Sequence, residues 1–276
     1  MKTVLICHGD DQLNRLAFPR WMSSFSELVG IVSVDEGTEQ KRNRVRREIK
    51  RLGYLRFLDV LAFRLYHRLF VQSQDETFEK ELLERLARSY PDVPAHVPVL
   101  TTSSPNSPET RAFLEKLRPD MMIARCKVLL KPEIFSVPAM GTYVMHPGIC
   151  PEYRNAHGCF WALAENDLGR VGMTLLKVDH GIDTGPVFGF FSCSFNELTE
   201  SHVTIQHRTV FDNLDRIRDR VLEIAKGNAS IIDTHGRQSG NWGQPWLSKY
   251  LRWKIAARRR FSGHEADLPP LPRRGQ

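Results

Sequence analysis

His146 and Asp183 are the two side chains in this sequence whose types and settings best suit chemistry. His146 closes the apolar run Gly141 to Met145 and is followed by Pro147, Gly148 and, three residues on, Pro151. Asp183 sits in the loop Gly181-Ile182-Asp183-Thr184-Gly185, between two further apolar runs. Both positions fall at the mouths of expected strands, where an open α/β sheet gathers its functional groups. A histidine next to a carboxylate can relay protons, because the carboxylate orients the imidazole and stabilises its charged form. Plainer readings stand beside this one. A lone histidine after a strand is often only a satisfied polar residue, and Asp among glycines favours a turn. Asp179 reads as a strand-end turn residue and His180 as a surface side chain.

The elements that must position these residues read as an α/β protein. Residues 2–7 and 28–34 are short β-branched runs and predict parallel core strands, with a crossover that Pro19 interrupts. A weak third strand is expected over 97–100, a fourth over 121–124 and a fifth over 141–145. Ser107-Pro108-Glu109 opens a capped helix that ends near Arg118-Pro119. A helix over 156–165 and strands over 171–178 and 187–192 follow. Val210, Leu214, Ile217, Val221 and Ile224 predict one amphipathic helix stopped by Gly227. Strands alternating with helices imply a doubly wound, mostly parallel sheet. Residues 1–227 read as this domain, with a helical insertion over about 38–90. Residues 228–276 read as a short extension whose Pro-rich, charged tail from Ser262 carries no fixed structure.

Bulk properties bound the function. The 276 residues are 41% hydrophobic and 26% charged, as in a soluble protein with a core, and no run reaches membrane-spanning length. With no signal-peptide pattern at residues 1–11, the cytoplasm is the expected compartment. The five cysteines are scattered without a Cys-x-x-Cys pair, against a disulfide framework or a zinc site; no metal site is read. Cys150 and Cys159 flank His146's segment, and a catalytic thiol is weighed there against small buried hydrophobes. Much of the +7 net charge lies between Lys41 and Arg56. Leu55, Leu58, Leu61, Leu65 and Leu69 share one side of the same insert. A solvated appendage, a docking surface for a protein partner or second copy, and an anionic membrane surface all remain open for residues 41–69.

The segment Val144-Met145-His146-Pro147-Gly148-Ile149-Cys150-Pro151, then Tyr153-Arg154-Asn155, then Gly181-Ile182-Asp183-Thr184-Gly185, resembles the folate-dependent formyltransferases. The likeness is strong over 118–195, weaker over 1–35 and 196–227, and absent over 38–90. It implies a Rossmann-like formyltransferase fold and formyl transfer from N10-formyltetrahydrofolate to an amine. In that reaction nitrogen attacks the formyl carbon, an oxyanion develops, and protons move to the departing nitrogen. The resemblance implies His146 at the oxyanion, Asp183 positioning it, and a pterin read by the main chain of Ala124, Arg125, Cys126 and Lys127. Gly9, Tyr153, Arg154 and His157 are the expected acceptor contacts, Gly9 through a phosphate. The family's catalytic asparagine falls on Val144, and Asn155 is the nearest polar replacement in sequence. Charge, and the short stretch after Gly227, point to a small anionic amine such as an amino sugar nucleotide rather than tRNA. The competing reading is an altered or inactive formyltransferase fold that binds partners through its basic insert.

Overall fold

Short apolar runs become strands here because helices cover both of their faces. The structure, a computed structural model, describes residues 1–266. β1 (Lys2–His8) leads through a π-helical turn at Leu13–Ala17 into α1 (Phe18–Ser23), with Pro19 in its first turn. β2 (Glu27–Val34) pairs parallel with β1. The insert then forms three helices, α2 (Thr38–Leu52), α3 (Tyr54–Phe70) and α4 (Gln72–Ser89). β3 (Val99–Thr102), two residues beyond its expected place, forms the sheet edge. α5 (Pro108–Leu117) begins at the expected cap, where Ser107 Oγ accepts the Thr110 amide at 3.2 Å. β4 (Met121–Arg125), the short α6 (Pro132–Phe135) and β5 (Gly141–His146) follow.

Beyond β5 the chain forms the two-residue β6 (Arg154–Asn155), α7 (Gly158–Ala164), β7 (Met173–Lys177) and β8 (Val187–Phe191). The seven-stranded sheet has the order β3-β2-β1-β4-β5-β7-β8. It is parallel up to β5; β7 alone is reversed, pairing antiparallel with both β5 and β8. The order reverses between β1 and β4, so a switch-point crevice opens at their carboxyl ends. Leu5, Met121, Ile123, Tyr143 and Met145 pack on one face of the sheet; Val4, Ile6, Val32 and Met122 pack on the other.

Two expectations are corrected, and the two sides of α3 are assigned. The single helix over Val210 to Ile224 is two helices, α8 (His202–Phe211) and α9 (Leu214–Ala225), because Asn213 Nδ2 donates to the Thr209 and Ser192 carbonyls between them. Within the insert, the leucine side of α3 faces solvent, and Phe57, Val60 and Phe63 face the protein. Beyond Gly227, β9 (Asn241–Trp242) pairs with β6, and a twenty-residue helix, α10 (Leu247–Ala266), buries Tyr250, Trp253 and Ala257. The tail expected to lack structure from Ser262 is therefore helical to Ala266, and its remainder lies outside the described residues.

The insert is pinned to the rest by a buried carboxylate. Asp75 of α4 accepts from His67 Nε2 at 2.8 Å, from Ser201 Oγ, and from Thr204 Oγ1 at 3.2 Å. Ser201 caps α8 at the same time. A buried carboxylate is tolerable only with such a set of donors.

Candidate active site

His146 ends β5 and is buried. Its Nε2 donates to the Tyr153 carbonyl at 2.7 Å, and its Nδ1 lies 3.3 Å from Asp183 Oδ2. A proton on Nδ1 would be shared with that carboxylate. Asp183 adopts a left-handed backbone, φ 52°, which Asp and Asn tolerate better than most residues. Its Oδ2 also accepts the Asn155 amide at 2.8 Å, tying its loop to the turn after β5. Asp179 caps that loop, accepting from the Gly181 amide and Thr184 Oγ1. The two residues separated by 37 positions in sequence thus share one site.

The turn after β5 is built on glycine. A Cβ at Gly148 would overlap the Tyr153 carbonyl and approach His146 Nε2 to 2.7 Å. A Cβ at Gly158 would stand 2.7 Å from the Tyr153 carbonyl and 2.8 Å from that of Pro147. All of those neighbours of Gly158 are backbone and cannot swing aside. Gly158→Ala should therefore displace the carbonyl that holds His146 and destabilise the fold by about 1–3 kcal/mol, as overpacked cores do. Urea unfolding midpoints of the two proteins check this. An unchanged midpoint would mean that the turn is not closely packed.

Several expected contacts are otherwise engaged. Asn155 Nδ2 donates to Asn241 Oδ1 at 2.9 Å and to the Trp242 carbonyl at 2.6 Å, so its amide is turned to β9. Tyr153 is buried, stacked on Trp242, with its hydroxyl donating to Asp167. Arg154 donates to the Ile182 carbonyl and to Ser239 Oγ, bracing the Asp183 loop. His157 caps α7 in a left-handed conformation, and desolvation holds its pKa near 4. Both Tyr153 and Arg154 fix the turn. Val144 faces Cys150, Leu176 and Val187, an apolar setting. Cys150 and Cys159 are buried thiols whose pKa values burial pushes up, to about 12 for Cys159, so both are small hydrophobes rather than thiolate nucleophiles.

The switch-point crevice carries the other expected group. Arg125 Nε donates to Asn14 Oδ1 at 2.9 Å, and Nη1 to the Met145 carbonyl at 2.6 Å. Cys126 Sγ donates to the Val128 carbonyl. Those two side chains are thus tied back against the protein. The Lys127 amide donates to His8 Nε2 at 2.9 Å, and burial lowers the pKa of His8, keeping that ring a neutral acceptor. His8 escaped the sequence reading because nothing local marks it as a partner of residue 127. Beside Gly9 lies a cavity of about 230 Å³ lined by His8, Asp10, Val34, Asp35 and Glu36. The three carboxylates oppose a phosphate there, which corrects the role expected for Gly9.

A family model described as formyl transferase matches residues 68–220, more than half of the chain. The chain belongs to the formyl transferase family. Methionyl-tRNA formyltransferase of Kosmotoga olearia is 35% identical over 106 residues, 38% of this chain and 32% of that protein. The enzyme of that name from Thermotoga maritima is 30% identical over 131 residues, 47% of this chain and 37% of that protein. The chain thus spans about a third of the length of these relatives. A solved sugar N-formyltransferase from a Shewanella species superposes with TM-score 0.54 at 11% identity, covering 93% of this chain and 88% of that one. Phosphoribosylglycinamide formyltransferase of Anaplasma phagocytophilum gives 0.51 at 12%, covering 87% and 97%. These likenesses establish the formyltransferase fold, and no described helix is long and apolar enough to cross a membrane.

Proposed function

We propose that this chain transfers a formyl group from N10-formyltetrahydrofolate to the amine of a small molecule. The observation that carries the reading is the approach of His146 Nδ1 to Asp183 Oδ2 at 3.3 Å, at the strand ends of a formyl transferase fold. The donor would supply a formyl carbon already bonded to a nitrogen that can leave. Main chain along Arg125–Lys127 suits a heterocycle recognised through amide and carbonyl groups, although the Lys127 amide must be shared with His8. In this reading His146 takes a proton from the attacking amine on Nδ1, the ring nitrogen left without a proton while Nε2 donates to the Tyr153 carbonyl, and returns it to the departing nitrogen. Asp183 keeps the imidazole oriented and offsets its positive charge. An anionic acceptor, with an amino sugar nucleotide as the example, would meet the exposed Lys127 rather than the acid-lined cavity beside Gly9.

Titration calorimetry with 5-formyltetrahydrofolate, a stable analogue of the donor, tests the reading without knowledge of the acceptor. Micromolar binding, weakened by substitutions in residues 124–127, is the expected result. A folded protein that gives no heat of binding would overturn the donor assignment.

A second reading is favoured by the apolar surroundings of Val144 and by the engagement of the Asn155 amide with β9. Under it, the chain keeps the fold and has slowed or lost transfer. Val144→Asn separates the two. Placing an amide among Cys150, Leu176 and Val187 should cost about 1–3 kcal/mol of stability. For a working transferase that lacks this oxyanion donor, turnover should nonetheless rise, by up to roughly 10²-fold. Initial rates beside unfolding curves check both effects; lower stability with no gain in turnover would favour the second reading.

A further inference from the structure

The excess of positive charge in this protein falls in one part of it. Residues 38–70 hold ten Lys and Arg against three Asp and Glu, which accounts for the whole formal net charge of +7. Those residues are α2 and α3. Arg42, Arg46, Arg47 and Lys50 are exposed on α2, and Arg64 and Arg68 on α3.

The same helix α3 exposes an unbroken apolar stripe. Leu58, Leu61, Leu65 and Leu69 recur every three or four residues and so share one face, with Tyr54 and Leu55 at its start. Leu55 is 86% exposed, Leu58 59%, Leu65 60% and Leu69 63%. Ordinary surface helices turn leucines inward. Here the inward positions are already filled: Phe63 packs against Phe160 of α7 and Tyr250 of α10, with ring centroids 5.8 and 5.4 Å apart. The leucine face is thus a second apolar face on a helix whose first is buried. At a helical spacing of 100° per residue, Arg64 and Arg68 border it on one side.

We propose that this face docks on an anionic membrane surface, with the leucines entering the headgroup region and the α2 and α3 arginines meeting lipid phosphates. Charge complementarity selects this occupant. A second copy meeting face to face would set Arg64 and Arg68 of the two chains against each other, because a two-fold contact repeats the same patch. An anionic bilayer instead offers opposite charge to the bordering Arg64 and Arg68 while burying the leucines. The contact is peripheral, since α3 carries Arg56, Asp59, Arg64 and Arg68 among its seventeen residues and no described helix can span a bilayer. The proposal is independent of the formyl transfer reading.

Cosedimentation of the full chain with vesicles tests it. Wild type should pellet with phosphatidylcholine vesicles containing about a third phosphatidylglycerol, stay in solution with phosphatidylcholine alone, and be released by high salt. Leu58→Glu/Leu65→Glu, and the milder Leu58→Ser/Leu65→Ser, should each weaken binding at least about tenfold with an unchanged melting temperature. Arg46→Glu/Arg47→Glu should weaken it as well. Failure of wild type to pellet overturns the proposal. Leucine variants that bind like wild type overturn it too, leaving non-specific charge attraction. A wild-type dimer without lipid that the leucine variants dissociate would assign the face to a second copy instead.

Discussion

Asp183→Asn is expected to lower formyl transfer by roughly 10²–10⁴-fold while leaving the fold intact, the range lost with a general acid–base partner. The substitution is close to isosteric, and asparagine tolerates the left-handed backbone that Asp183 adopts at φ 52°. An amide oxygen can still accept from the Asn155 amide, now at 2.8 Å from Oδ2, so the loop stays tied to its turn. What is lost is the negative charge 3.3 Å from His146 Nδ1. His146→Ala should lower the rate over the same range, but it also strips the Tyr153 carbonyl of its donor. That second loss should cost about 1–2 kcal/mol of stability. Steady-state rates with unfolding curves for both variants make the comparison. Rates retained by both would remove the pair from the mechanism.

The parts of the molecule legible in the sequence are those fixed by short-range pattern. β1, β2, β4 and β5 are continuous apolar runs because both of their faces are covered, and that composition is visible without partners. The join of His146 to Asp183 was legible because each lies in its own local motif. Tertiary choices were not legible. Helix α3 is apolar on two faces, and only the rings of Phe160 and Tyr250 decide which one turns inward. Asn155 reads as a free amide beside the site until Asn241 and Trp242, more than eighty residues away, take both of its protons. A two-residue strand such as β9 has no periodicity to read. The break between α8 and α9 hides for a related reason: apolar spacing runs through it, and only the hydrogen bonds of Asn213 end the first helix.

Acid should unfold this protein through histidines that it buries uncharged, and His157→Asn should blunt the effect. Desolvation, then the charges of Lys127 and Arg64, hold the pKa of His157 at about 4 against an ordinary 6.5; His67 pushes the same way, and only a hydrogen bond with Gln244 opposes it. His202, with its ring 6.3 Å from that of His157, is lowered well below 6.5 by burial and by its neighbours His157, His67 and Lys254. His8 is lowered as well, by burial and by Lys127. For each, the unfolded chain binds a proton that the folded chain refuses, so stability rises with pH. The contribution is complete above the unfolded value of 6.5 and fades as pH falls from there toward 4. One fully coupled histidine adds a slope of about 1.4 kcal/mol per pH unit, so His157 alone can be responsible for up to about 3 kcal/mol across that window. Asparagine accepts the left-handed backbone at residue 157, φ 57°, and does not titrate. Urea unfolding at several pH values between neutrality and pH 4 should give a steep fall for wild type and a shallower one for His157→Asn, with His8 and His202 supplying the remainder. Parallel curves would show that His157 protonates in the folded protein without penalty. Because His157 caps α7, while Arg64 and His67 belong to α3, the first contacts to loosen in acid should be those between the insert and the turn that holds His146.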